Sequence, residues 1–267
     1  MDEAKKRTVL ITGGSSGIGL ELAKLFAHDE YQLVLVAKPR GELERAKIAL
    51  QAINPKTQIL LKQQDLAQPG AAQEVYEFTQ KNDLMVNVLV NCAGFATYGF
   101  VNEIDINKEL DMLQLNVSTL YQLTRLYLSD MIERDEGKII NMSSISAFQP
   151  SPTFATYGAS KSFILQFSRA LNYELHEQDS KVHVLAVCPT AVKGTGFQSA
   201  ARMEKTNSFD SWMATTADVV ARDTYKAMEQ GKDMVIPGRR LGWAHIITNR
   251  LPTSWLMKIS RAQLKEK

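Results

Sequence analysis

The chain has 267 residues, a formal net charge of +2 and 45% hydrophobic residues. That length suits one α/β domain with a sizeable core, and the near-balanced charge removes any general pull toward nucleic acid. Residues 1–7 are charged and polar, no apolar run approaches the roughly 20 residues of a membrane span, and only Cys92 and Cys188 are thiols, so no secretory leader, spanning helix or disulfide framework is expected.

The first predicted strand is Val9 to Ile11. It runs directly into Thr12-Gly13-Gly14-Ser15-Ser16-Gly17-Ile18-Gly19 and then into helical spacing from Leu20 to Phe26. Strand, glycine turn and helix in that order form the context of a dinucleotide-binding loop. Glycine lets the backbone turn tightly and approach a pyrophosphate, and a helix N-terminus favours negative charge. The spacing is Gly13-x-x-x-Gly17-x-Gly19, not the more usual G-x-G-x-x-G, and a turn without a ligand is the plainer alternative. Further strands are predicted over Leu33 to Val36, Ile59 to Lys62, Val86 to Val90, Lys138 to Met142, Val182 to Val187 and Asp233 to Ile236, separated by amphipathic helical stretches. Near-continuous apolar strands between helices imply a parallel sheet covered on both faces, a single doubly wound Rossmann-like domain over residues 1–238. Both cysteines end predicted strands and read as buried free thiols, which suits a reducing cytoplasm.

Tyr157 and Lys161 stand four residues apart in Y157-G-A-S-K161, at the start of a helical stretch. Residues at i and i+4 share a helix face, so a phenol is held beside an ammonium group. A positive neighbour is expected to lower the phenol's pKa from its usual value of about 10 and let it exchange protons with an alkoxide or alcohol. Taken alone, such a pair is equally an ordinary surface contact.

Taken with the T-G-x-x-x-G-I-G turn, these residues resemble the short-chain dehydrogenase/reductase family over most of the chain. Asn91-Cys92-Ala93-Gly94 resembles the family's N-N-A-G segment. Asn116 lies in a predicted helix, Leu110 to Leu126, where the family carries an asparagine, and Ser144 stands thirteen positions before Tyr157 at the family's spacing for its serine. Ser143 is the alternative serine. The resemblance implies a strand order 3-2-1-4-5-6-7 and a catalytic set of Asn116, Ser144, Tyr157 and Lys161. Ser144 would orient a carbonyl oxygen and Tyr157 would deliver its proton. Lys161 would hold the nicotinamide ribose, and Asn116 would anchor a water linked to Lys161.

For the cofactor, the resemblance puts Gly13, Ser15, Ser16, Gly17, Ile18 and Gly19 at the pyrophosphate. Asn91, Ala93 and Gly94 would run beside the adenosine ribose and pyrophosphate. Ala37 stands where NAD-preferring relatives place a carboxylate, and Lys38 and Arg40 follow it. Opposite charge there suits a 2′-phosphate, so NADP(H) is expected over NAD(H), although both cations also read as solvated charges opening a helix. Asp65, followed by Leu66, resembles the residue that meets the adenine amine, or else caps the next helix. Pro189, Thr190, Val192 and Thr195 resemble the P-G-x-V-x-T segment over the nicotinamide. Thr190 replaces the usual glycine and Gly194 is one extra residue.

The implied activity is hydride transfer between a nicotinamide and a carbonyl or secondary alcohol. Phe197, Met203, Phe209, Trp212 and Met213 are expected over the active site, with Phe95, Tyr98, Phe148 and Phe154 in nearby loops, which suits an apolar ketone or aldehyde. The alternatives are a catalytically silent dinucleotide-binding regulator, or a membrane-surface reductase of 3-ketoacyl or steroid type. His176 and His183 read as ordinary residues and no metal is expected. Homodimers or homotetramers through the helices of Asn116 and Tyr157 are implied by the family. Residues 239–267 read as a basic amphipathic extension: Trp243, Ile247, Leu251, Trp255 and Ile259 recur at fourfold spacing among Arg239, Arg240, Arg250, Lys258, Arg261, Lys265 and Lys267. It would pack on the cleft, on a partner subunit or on a membrane surface, with Pro252 interrupting or starting a helix.

Overall fold

The computed structural model describes residues 6–201, 203, 206, 209, 214–238 and 252–264. Expectations for Trp212, Met213, Arg239, Arg240, Trp243, Ile247, Arg250, Leu251, Lys265 and Lys267 fall outside the described residues.

Seven parallel strands form one sheet in the order β3-β2-β1-β4-β5-β6-β9. They are β1 (Thr8–Thr12), β2 (Gln32–Ala37), β3 (Ile59–Gln63), β4 (Val86–Asn91), β5 (Lys138–Met142), β6 (His183–Val187) and β9 (Met234–Val235). This is the expected α/β Rossmann-like architecture. The strands are buried on both faces because successive side chains alternate between two cores. Val9, Ile11, Leu33 and Leu35 pack with α1 (Gly17–His28), α2 (Arg40–Ile53) and α8 (Ala217–Glu229). Leu10, Val34 and Val36 pack on the other side with α3 (Ala71–Lys81), α5 (Leu120–Glu133) and α6 (Ala155–Glu177). Helix α1 buries Leu22, Ala23 and Phe26 at helical spacing, and each large side chain so buried contributes roughly 2 kcal/mol.

Two features exceed the expected element map. A two-residue ribbon, β7 (Val192–Lys193) with β8 (Thr215–Thr216), follows β6. The helix containing Asn116 runs from Ile106 to Glu133 as α4 (Ile106–Leu113), a π-helical turn (Gln114–Thr119) and α5, so Asn116 sits inside a π-bulge. Such bulges concentrate at functional positions. Among the described residues, the remaining α-helices are the short α7 (Phe197–Ala200) and α9 (Thr253–Gln263).

Strand β1 lies between β2 and β4, and the chain order reverses there. In such sheets ligands bind beyond the strand ends at this crevice. Thr12, the first residue of the glycine-turn motif, closes its floor, a role the motif did not reveal. Its Oγ1 accepts from Cys92 N at 3.0 Å and Ala93 N at 3.1 Å, clamping β1 to the loop after β4.

Candidate active site

A single cleft of about 1130 Å³ opens beyond the carboxyl ends of the strands. Its glycine end is lined by Gly13, Ser15, Ser16, Gly17, Ile18 and Gly19. The turn demands glycine at two points. Gly13 has φ +67°, and a Cβ on Gly19 would stand 2.3 Å from the Gly13 carbonyl oxygen. Ser16 starts α1 with no side-chain cap hydrogen bond, which leaves the first helix amides without that partner, and Gly17, Ile18 and Gly19 of this first turn line the cleft, as an anion site requires. Thr195 reaches across: its Cγ2 would meet a Cβ on Gly17 at 3.3 Å. The additional Gly194 takes up the extra length with φ +72°. Pro189, Thr190 and Val192 line the same wall, and the Pro189 carbonyl accepts from Ile145 N at 2.9 Å.

At the far side of the turn, Ala37, Lys38, Asp65 and Leu66 line the cleft. Lys38 Nζ pairs with Asp65 at 2.7 Å, and this partner holds the Asp65 carboxyl below its ordinary value. Asp65 also accepts from Ala67 N at 3.1 Å in a local turn, but it does not cap the next helix as the alternative reading had it, since α3 starts at Ala71 with Gly70 as its N-cap. Arg40 departs from expectation. It pairs with Glu44 one helical turn along α2 at 2.5 Å and is absent from the lining, because an i,i+4 partner holds it along the helix surface. Glu42 was not anticipated; it lines the cleft and accepts from Ser15 Oγ at 3.1 Å.

Asn91 also departs from expectation. Its side chain is buried within the sheet end, where Nδ2 donates to Asn141 Oδ1 at 2.9 Å and Thr124 Oγ1 at 3.1 Å. Ala93 and Gly94 line the cleft. Gly94 is confined from behind, since a Cβ there would lie 2.9 Å from Asn116 Oδ1 and 3.5 Å from Lys161 Nζ. Asn116 therefore stands behind the lining. Its amide brackets the Phe95 backbone, accepting from Phe95 N at 3.3 Å and donating to Phe95 O at 3.0 Å, and it donates to Ser160 Oγ at 3.3 Å. Both cysteines are free; Cys188 is buried and half-buried Cys92 lines the cleft.

Ser144, Tyr157 and Lys161 meet at the middle of the cleft. Ser144 caps a 3-10 turn (Ile145–Phe148), with its Oγ accepting from Ser146 N at 3.1 Å. The cap uses a lone pair and leaves the hydroxyl hydrogen to donate. Ser143 Oγ donates to the Lys161 carbonyl at 2.8 Å, which engages its hydroxyl in holding α6 to β5. Lys161 Nζ donates to the Met142 carbonyl at 2.9 Å and lies 5.6 Å from the centre of the Tyr157 ring. Burial lowers the Lys161 pKa to about 8. Burial also raises the pKa of the 5% exposed Tyr157 well above the usual phenol value, with Ser144 opposing it through a hydrogen bond. Lys161 was expected to lower the Tyr157 pKa; instead burial dominates, and the phenol is held in the protonated form.

Beyond Tyr157 the walls are apolar. Phe154 and Phe197 pack on the Tyr157 ring with centroids at 4.4 and 5.6 Å. Met203 and Phe209 belong to the same buried cluster. Helix α9 starts at Pro252 and folds over this end, where Leu256, Ile259, Ser260, Ala262 and Leu264 line the cleft. Of the expected stripe, Trp255 is 61% exposed and Ile259 is 41% exposed while still lining the cleft, and the buried face of the helix is Leu256, Ser260 and Leu264. Fourfold spacing recurs on both faces of a helix, and the contact of Tyr98 Oη with the Leu264 carbonyl at 2.5 Å holds the Leu256–Leu264 face inward.

The model of the short chain dehydrogenase family matches residues 7–206. An uncharacterized oxidoreductase of Bacillus subtilis (strain 168), DltE, is 33% identical over 202 residues, covering 73% of this chain and 75% of the relative. A very-long-chain 3-oxoacyl-CoA reductase of Anas platyrhynchos is 29% identical over 259 residues, covering 94% of this chain and 77% of the relative. Among solved structures, a short-chain dehydrogenase from Sphingobium yanoikuyae in complex with NADPH superposes with a TM-score of 0.80 at 27% identity, over 94% of this chain and 95% of that one. Glycine turn, Tyr157–Lys161 pair, sheet order and family match converge, and the chain belongs to the short-chain dehydrogenase/reductase family of oxidoreductases.

Proposed function

We propose that this protein is an NADP(H)-dependent oxidoreductase that reduces an apolar ketone or aldehyde, or oxidises the corresponding secondary alcohol. The observation that carries this reading is the gathering of Ser144, Tyr157 and Lys161 in the cleft that the glycine turn also lines. The uncapped start of α1 and the glycine backbone fit a dinucleotide. Bound reduced nicotinamide supplies the hydride. Ser144 donates a hydrogen bond to the carbonyl oxygen as charge builds on it, a contribution of about 3 kcal/mol for a preorganised donor. Tyr157, kept protonated by burial, gives that oxygen its proton. Lys161 holds the ribose side of the cofactor with the donors left after its bond to Met142. Asn116 acts from behind, fixing the Phe95 backbone beside Gly94.

The preference for NADP(H) over NAD(H) is supported by Ala37 in place of a carboxylate and by Lys38 in the lining. A 2′-phosphate would compete with Asp65 for Lys38. The intact set of four residues favours turnover over a silent dinucleotide-binding regulator. Homodimers or homotetramers through α5 and α6 are part of this reading, supported by a surface aromatic group: Phe163, 41% exposed, stacks on Phe167 at 5.7 Å, and Tyr121 approaches Phe167 at 5.4 Å. Two free thiols support a cytoplasmic setting. A second reading, a membrane-surface reductase of 3-ketoacyl or steroid type, is favoured by exposed Trp255 and Met257 beside exposed Lys258 on α9. No described helix is long and apolar enough to cross a membrane. The deciding experiment for the main reading is oxidation of NADPH and NADH with a panel of ketones and aldehydes. Turnover is expected for the wild type and lost in Tyr157→Phe, with cofactor binding retained. Equal turnover in Tyr157→Phe would remove the proposed acid.

A further inference from the structure

The cleft changes character along its length. Its charged lining residues are Lys38, Glu42, Asp65, Asp111 and Lys161. The first three flank the glycine turn, Asp111 acts on Lys38 through space, and Lys161 lies beside Tyr157. Among the described residues, none of the lining supplied from residue 196 onward is charged. Phe154, Tyr157, Met203, Phe209 and Leu264 form one continuous buried cluster there, with Phe95, Tyr98 and Phe197 packed against it. A carboxylate or ammonium taken into this end would lose its hydration with no partner. An extended apolar group would not.

The far wall is set by α9. Its inward stripe is Leu256, Ser260 and Leu264, and all three line the cleft. The stripe is anchored at its end, where Tyr98 Oη donates to the Leu264 carbonyl at 2.5 Å. The Arg261 guanidinium lies 5.7 Å from the centre of the Phe100 ring, a second tie between α9 and the loop after β4. A helix held at two points on the Tyr98–Phe100 loop makes a wall of fixed position, and a fixed wall sets how far a substrate can extend from Tyr157.

We propose that α9 is the specificity-determining wall of this cleft: it selects carbonyl compounds carrying one uncharged, extended apolar group, and Leu256 and Leu264 set the length of that group. This rests on the reductase reading for its kinetic form, but ligand binding tests it separately.

The test uses the full chain and alkyl phenyl ketones of increasing chain length, with NADPH. Two quantities are measured for each ketone: kcat/KM, and affinity by calorimetric titration. Leu264→Ala should raise the ratio of kcat/KM for the longest ketone to that for the shortest by about tenfold, the scale on which an apolar pocket distinguishes one or two methylenes. Leu256→Trp should lower the ratio by a similar factor. Tyr98→Phe, which removes only the anchor, should shift it severalfold in the direction of Leu264→Ala. Affinities should follow the same order. Unchanged ratios and affinities in Leu256→Trp and Tyr98→Phe would overturn the proposal, even if Leu264→Ala fails to fold. Shifted affinities in a protein that turns over none of the ketones would leave the wall standing and reject the reductase reading. Turnover with no dependence on the three substitutions would do the reverse.

Discussion

At the glycine end of the cleft, most walls are strand ends or helix starts of the main sheet, and hydrogen bonds lock them. Thr12 clamps the loop after β4, Gly13 N donates to Val36 O at 2.8 Å, and Ser143 and Lys161 tie α6 to β5. At the Tyr98 end the walls come from side-chain packing of Phe197, Ala201, Met203, Phe209 and the end of α9, with the Tyr98–Leu264 bond as an anchor. The first end is specified by backbone geometry that tolerates little change, as the 2.3 Å approach at Gly19 shows. The second is specified by volume, which can vary by a methylene without loss of the fold. In the proposed reading, one end therefore carries the shared chemistry and the other the selectivity.

The sharpest way to break this division is at Tyr157. Tyr157→Phe should lower turnover by about 10³-fold, the scale of a lost general acid, while cofactor binding measured by fluorescence titration stays near wild type. A parallel loss of both would mean that the phenol serves folding or binding instead.

The cofactor end offers a paired test of smaller size. Lys38→Ala should weaken NADPH binding relative to NADH by about tenfold, the value of one charge-assisted contact to a phosphate. Arg40→Ala should leave the ratio unchanged, since Arg40 is engaged with Glu44 outside the cleft. Equal effects of the two substitutions would blur the boundary drawn here.

A pH series sharpens the same contrast by a few fold. Burial lowers the Lys161 pKa from 10.5 to about 8, so the ammonium form is complete only below that value. Reductive kcat/KM should decline as pH rises through about 8. Holding a buried ammonium opposes folding. This cost is fully present below the native pKa and is relieved as pH rises from about 8 toward 10.5, where the unfolded chain binds the extra proton. The denaturant midpoint of wild type should therefore gain on that of Lys161→Met across this window. A constant difference would place Lys161 in an environment less dry than the one described.

The smallest expected effect lies at the outer face of α9. Trp255→Glu should reduce pelleting of the protein with anionic liposomes and leave kcat/KM on a short ketone unaltered. Equal pelleting would end the membrane-surface reading.

Much of the fold was legible because its signals are local. Near-continuous apolar strands, helical spacing from Leu20 to Phe26 and the Thr12–Gly19 turn each report on a few consecutive residues, and all seven sheet strands match their expected spans to within one residue at either end, β9 being shorter by one residue at each, while the new β7–β8 pair is too short to leave a pattern. The Tyr157–Lys161 relation was legible for the same reason, being one helical turn. Other roles depended on distant partners. Thr12 was invisible as a clamp because its acceptors and donors come from β4, about 80 positions away. Asn91 sits at a motif position, yet Asn141, 50 positions away, decides where its side chain goes.

By itself, then, the order of residues determined the class of sheet, the glycine turn between β1 and α1 and the pairing of Tyr157 with Lys161, since these follow from periodicities and short spacings along one strand or helix. It did not determine which face of α9 turns inward or the protonation of Tyr157. Fourfold spacing is satisfied by Trp255–Ile259 and by Leu256–Leu264 alike, and contacts with the distant Tyr98 and Phe100 select between them. The phenol's pKa answers to how much water reaches it, and that is set by Phe154 and Phe197 closing over the ring.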